Sequence, residues 1–177
     1  CSSSGALRIP AMLSALLRSM RPAQWVKNLF VFVPLVFAHR LDRLDLALRS
    51  AAAFAAFCAA ASAVYLLNDL RDREADRLHP VKCRRPIAAG ELGAGPAIAA
   101  ALSLTAVALA LALRLGRGFL ICLAIYLALN VLYSLALKRL VILDVMTIAL
   151  GFVLRVEAGA LAIAVEVSSW LLLCTTF

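Results

Sequence analysis

Apolar runs close to 20 residues long recur along this chain, and a run of about that length is what a helix needs to cross ~30 Å of hydrocarbon. They cover roughly 25–39, 47–67, 96–113, 118–137 and 141–164, and a sixth begins near Val167. The first is the shortest and contains Pro34. Hydrophobic residues make up 64% of the sequence and the mean hydropathy is +0.96, outside the range of soluble domains. Backbone in lipid must satisfy its own hydrogen bonds. The expected fold class is therefore all-α: a polytopic transmembrane helical bundle with five complete spans and the start of a sixth. Residues 11–20, AMLSALLRSM, read as a short interfacial helix and not as a cleaved signal peptide. The chain starts at Cys1 and stops at Phe177 inside an apolar run, so a single transmembrane domain over 1–177, truncated at its C-terminal end, is expected.

The net charge of +8 is best read through topology. With the N-terminus in the cytoplasm, that side receives Arg8, Arg18, Arg21, Lys27, the cations of 71–85, Lys138 and Arg139. The far side receives only Arg40, Arg43, Arg49, Arg114 and Arg117. The positive-inside rule then puts the 68–95 loop in the cytoplasm, in a multi-pass protein of the cell inner membrane. Nucleic acid is not an expected partner, since basic stripes that bind it sit on soluble modules. The five cysteines show no CxxC spacing and no histidine at ligand distance in sequence, so they read as small hydrophobes. His39 and His79 read as single loop residues. GELGAG, at 90–95, follows no strand and reads as a turn, not a nucleotide loop.

Loop 68–95 is long for a compact protein, and long loops are more often functional than idle. It sets Asp69, Asp72 and Asp76 among Arg71, Arg73, Arg77, Lys82, Arg84 and Arg85. If the second span continues as helix through Asp76, these three acids (i, i+3, i+7) share an arc of about 60°, with Asn68 at its edge and Glu74 pointing elsewhere. Three carboxylates on one face repel unless a cation lies among them. Oxygen ligands suit Mg²⁺ or Mn²⁺, and Lys82, Arg84 and Arg85 just beyond suit a pyrophosphate. The plainer alternative is a solvated helix face.

Other polar residues interrupt hydrocarbon. Lys27 and Asn28 break the start of the first run, Tyr133 and Lys138 close the fourth, and Asp144 opens the fifth. All map to the same end as the acidic loop. Ionisable residues in spans are costly and usually face a cavity or each other. Snorkelling to headgroups accounts equally well for Lys27 or Lys138 taken singly. Asp144 gains nothing from anionic headgroups. Arg155 lies ~20° from Asp144 on the helical wheel but ~16 Å along the axis, so it lines the same cavity or pairs with a further helix.

NDLRDREAD, at 68–76, is similar to the NDxxDxxxD motif of the UbiA superfamily of intramembrane prenyltransferases, through Asn68, Asp69, Asp72 and Asp76. YSLALK, ending at Lys138, resembles that family's tyrosine-to-lysine motif. RPAQWVKNLFVFVPLVFA, HPVKCRRPIAAG, GFVLRVEAGALA and SSWLLLCTTF resemble the branch of decaprenyl-phosphate phosphoribosyltransferases, from about Met20 to Phe177. The resemblance implies a bundle around a central cavity open to cytoplasm and lipid. It implies phosphoribosyl pyrophosphate as soluble donor and a polyprenyl phosphate as acceptor, on the way to arabinose donors for the cell envelope. The family's second acidic motif would lie beyond Phe177.

On that footing, Asn68, Asp69, Asp72 and Asp76 would hold Mg²⁺, with the three aspartates catalytic. Lys82 and Arg85 would close over the same phosphates. Lys27, Asn28, Tyr133, Lys138, Asp144 and Arg155 would contribute to substrate binding. An ionised phosphate oxygen needs no general base, which suits a site without histidine. Two alternatives stay open: transfer of a prenyl chain from its pyrophosphate to an aromatic acceptor, and a transporter or scaffold that would tolerate Asp72→Asn and ignore Mg²⁺. A homo-oligomer is left open.

Overall fold

The computed structural model describes residues 8–135 and 141–166. These residues form an all-helical bundle, as composition requires. Helix α1 (Arg8–Met20) precedes a 3₁₀ segment (Pro22–Phe32) that runs into the short α2 (Val33–Phe37). Then come α3 (Leu44–Arg71), α4 (Arg73–Leu78), one 3₁₀ turn (Lys82–Arg84), α5 (Ala94–Leu115), α6 (Arg117–Leu135) and α7 (Val141–Ile163). Helices α3, α5, α6 and α7 are long and apolar enough to cross a membrane. The run expected at Val167 lies outside the described residues.

The first expected span, 25–39, takes a different form. Pro34 has no N–H to give the Phe30 carbonyl, and that carbonyl is taken instead by Val33 N–H, one residue earlier. The tighter 3₁₀ winding has a compensating property. Its rise of about 2.0 Å per residue, against 1.5 Å in an α-helix, stretches Pro22–Phe37 to about 30 Å, the thickness of a hydrocarbon core. A segment too short to span as α-helix is thus long enough as built.

Helix α3 is the central post. Its small side chains Ala53, Ala56 and Ala60 let neighbours close in, and with Phe57 they pack against Ala108 and Ala112 of α5, Phe119 and Leu123 of α6, and Leu154 and Ala158 of α7. Phe57 meets the Phe119 ring edge-on at 5.9 Å and the Tyr126 ring at 5.0 Å. Helices α5 and α6 turn much of their apolar surface outward, with Leu102, Leu113 and Ile121 exposed, as lipid-facing helices do. At the end where α3 starts, Arg49 donates to two helix-terminal carbonyls: Nε to Ala162 O at 2.6 Å and Nη2 to Leu115 O at 3.2 Å. It caps α7 and α5 together.

A second cluster organises the opposite end. Ala15 of α1, Ala63 and Leu66 of α3, Ile87 and Leu92 of the loop, and Ala97 and Ala101 of α5 are buried together. The long loop is therefore pinned to the bundle by its own apolar residues. Helix α1 packs Ala15 inward while Met12, Leu13 and Leu17 stay exposed, the pattern of a helix lying in an interface.

Candidate active site

The acidic helix bends at its middle acid. Asp72 ends α3 and precedes α4, with φ −87° and ψ 6°. Its N–H donates to Asn68 O at 2.9 Å, and its carbonyl accepts from Asp76 N–H at 2.8 Å, so the ladder carries across the bend. Asp69 and Asp76 are buried on the inner face, whereas Glu74 points outward and pairs with Arg77. Two arginines compensate the buried acids. Arg21 Nη2 donates to Asp69 Oδ1 at 2.6 Å, and Arg85 Nη1 donates to both Asp69 Oδ1 (3.1 Å) and Asp76 Oδ2 (2.6 Å). Arg77 Nε donates to Ala88 O at 3.2 Å and ties α4 to the loop that carries Arg85. Between Asp69 and Asp76 the neighbouring positive charge is a guanidinium.

Beside this end a cavity of about 210 Å³ opens between the 3₁₀ segment, α3, α6 and α7. Its polar lining comes from Lys27, Asn68, Asn130, Tyr133, Thr147 and Arg155. Asn68 joins the cavity to the acids. Its Oδ1 accepts from Ser134 Oγ at 2.6 Å, and Ser134 accepts in turn from Arg71 Nη1 at 3.0 Å. Arg21 lies 5.0 Å over the ring of Tyr65, another lining residue. At the far end Arg155 is buried: Nε donates to Asn28 Oδ1 (2.7 Å), Nη1 to Gly151 O (2.7 Å) and Nη2 to Tyr126 Oη (3.1 Å).

Of the residues singled out in the sequence, Lys27, Asn68, Tyr133 and Arg155 line this cavity, and Asp69, Asp76 and Arg85 meet next to it. Lys82 stands exposed on the 3₁₀ turn after α4. Asn28 differs from expectation: it is fully buried behind the cavity, holding Arg155 with its oxygen and donating its Nδ2 to Cys58 Sγ at 3.3 Å. Lys138 lies outside the described residues, as does the side chain of Asp144, whose position falls in the first turn of α7. Sequence reasoning missed Arg21, Arg71, Ser134, Tyr126 and Asn130 as site residues. Asn130 carried a readable signal, a polar residue inside an apolar run on one helical face with Tyr126 and Tyr133.

Could these acids take a divalent cation? Among the described residues no three of His, Cys, Asp or Glu already form a cage. Mg²⁺, however, is commonly held by one or two carboxylates with several waters. Asp69 and Asp76 turn oxygens toward one shared point, now taken by Arg85 Nη1, and the donor chemistry fits.

The model of the UbiA prenyltransferase family matches residues 9–177. The chain belongs to this family. Similar UbiA relatives include decaprenyl-phosphate phosphoribosyltransferases of Mycolicibacterium smegmatis and Corynebacterium glutamicum, each 39% identical over 170 residues, 94% of this chain. The chain spans about half the length of these relatives, 54% and 51% respectively. Among solved structures, a UbiA homolog from Archaeoglobus fulgidus bound to GPP and Mg²⁺ matches with a TM-score of 0.75 at 24% identity. That match covers 92% of this chain and 58% of the other. It establishes the UbiA fold, and with the apolar helices makes this a multi-pass membrane protein.

Proposed function

We propose that the whole protein transfers 5-phosphoribosyl from phosphoribosyl pyrophosphate to a polyprenyl phosphate, releasing pyrophosphate. The carrying observation is the 39% identity to two decaprenyl-phosphate phosphoribosyltransferases over 170 residues, 94% of this chain. Asp69, Asp72 and Asp76, with Asn68, would hold Mg²⁺, or Mn²⁺ with the same oxygen donors. A divalent cation there supplies positive charge to the departing pyrophosphate. Arg85 and Arg21, already at the acids, are placed to turn guanidinium donors toward phosphate oxygens. Lys82 extends the cationic rim. Lys27, Tyr133 and Arg155 line a cavity beside the acids where a second substrate can be held in line with the first. The attacking phosphate oxygen is already ionised, so the residues have only to align it and exclude water. Lys138 and Asp144 belong to this proposal by sequence position alone. We place the acidic loop on the cytoplasmic face of the inner membrane, where a soluble phosphosugar is met, on the strength of the lysine and arginine distribution.

Transfer of a prenyl chain to an aromatic acceptor is the second reading, favoured by the fold match to a homolog bound to GPP and Mg²⁺. Membranes expressing the whole gene, supplied with labelled phosphoribosyl pyrophosphate and a polyprenyl phosphate, separate the two. Metal-dependent passage of label into the lipid phase, abolished by Asp72→Asn, is expected. Label that stays in water, while a prenyl pyrophosphate is consumed with an aromatic acceptor, would favour the second reading.

A further inference from the structure

Arg155 is 8% exposed, and among the described residues no carboxylate lies within ion-pair distance of it. Its three hydrogen-bond partners are neutral: an amide oxygen, a main-chain carbonyl and a phenol. Three ring faces surround it, Tyr126 at 4.9 Å, Phe152 at 5.7 Å and Phe57 at 6.0 Å. A guanidinium carries five N–H donors. The three bonds use one on each nitrogen, which leaves one on each Nη beside the cavity that Arg155 lines. Burying a charge without a counter-charge costs several kcal/mol, and an apolar side chain of similar volume would usually be the more stable occupant. A part of the framework alone is therefore a poor account of this residue.

We infer that Arg155, together with Lys27, which lines the same cavity, forms a subsite for a phosphate monoester, distinct from the acidic end. The two ends of the cavity are well separated. Arg155 sits at the level of Phe57 and Cys58 on α3, and Asp69 lies eleven residues further along that helix, ~16 Å away. A pyrophosphate at the acids cannot also engage Arg155. Two free N–H donors on adjacent nitrogens match two oxygens of a terminal phosphate, and Lys27 adds the second positive charge that a dianion requires. Asn28 is a positioning residue, since its oxygen fixes the guanidinium from behind. The transfer reading given above supplies two sources of such a group, the 5-phosphate of the sugar donor and the phosphate of the lipid acceptor. The subsite rests on that reading only for this choice.

The test is equilibrium binding to the whole protein in detergent, without turnover, so that loss of transfer activity does not bear on it. Ribose 5-phosphate and farnesyl phosphate are the probes, and magnesium pyrophosphate is the control for the acidic end. Arg155→Lys and Arg155→Gln are expected to weaken one monoester at least tenfold, Gln more than Lys, with pyrophosphate affinity within twofold of wild type. The monoester that weakens identifies the source: ribose 5-phosphate for the donor, farnesyl phosphate for the acceptor. Lys27→Gln, outside the buried core, should weaken the same probe. Unchanged affinity for both monoesters in the Arg155 variants overturns the subsite. So does loss of all three ligands in those variants while Lys27→Gln binds both monoesters normally.

Discussion

Arg85 Nη1 stands 2.6 Å from Asp76 Oδ2, on the last acid of the face. The same nitrogen reaches Asp69, so one guanidinium holds apart two buried carboxylates that would otherwise repel. Arg85→Gln removes that charge and should destabilise the protein by about 2 kcal/mol, below the value for a fully buried pair because Arg85 is partly exposed. Melting curves in detergent check this. Mn²⁺ should raise the melting temperature more in the variant than in wild type, because the metal then replaces the missing cation. Equal responses to Mn²⁺ would argue against a metal at that point.

Gly159 lets two backbones touch. A Cβ there would come within 2.1 Å of the Val31 carbonyl oxygen, on a 3₁₀ segment that cannot yield without losing its own hydrogen bonds. Gly159→Ala should cost about 2 kcal/mol and cut the yield of folded protein, despite alanine's better helix propensity. Thermal denaturation measures it; wild-type stability would mean that α7 and the 3₁₀ segment separate freely.

Gly151 gives the opposite balance. Its added methyl would lie 3.3 Å from Arg155 Nη1, a side-chain atom able to move a little. Gly151→Ala is expected to stabilise α7 by up to about 1 kcal/mol while weakening binding of the monoester that depends on Arg155 several-fold. Melting temperature and affinity should move in opposite directions.

Arg49 bonds two main-chain carbonyls at the end far from the acids. Arg49→Met keeps the length and apolar stem but leaves Leu115 O and Ala162 O without this donor. A loss of about 2 kcal/mol is expected, with KM for either substrate unchanged. A raised KM would show that this end communicates with the site.

Hydropathy alone exposed α3, α5, α6 and α7, because each is a predominantly apolar run of spanning length. It overstated the regularity of 25–39, since counting apolar residues says nothing about which carbonyl each N–H finds, and Pro34 redirects that choice. The shared face of Asp69 and Asp76 followed from 100° per residue. Their arginine partners did not follow in the same way. Arg85 lay close enough in sequence to suspect, whereas Arg21 is 48 residues from Asp69 and looked like one more topological charge. Asn28 and Arg155 were each visible as polar residues in hydrocarbon, yet their mutual bond spans 127 residues and exists only once the 3₁₀ segment and α7 are packed.

The two ends of α3 are fastened by different means. At one end Arg49 grips main-chain carbonyls, groups with no outside partner to prefer. At the other, Arg21 and Arg85 grip carboxylates, and both partners of those pairs have rivals among dissolved ions. The bundle is in this sense a pair of tongs, riveted at the end away from the acids and with jaws held by ion pairs at the acids. Dissolved salt competes at the jaws and leaves the rivet in place.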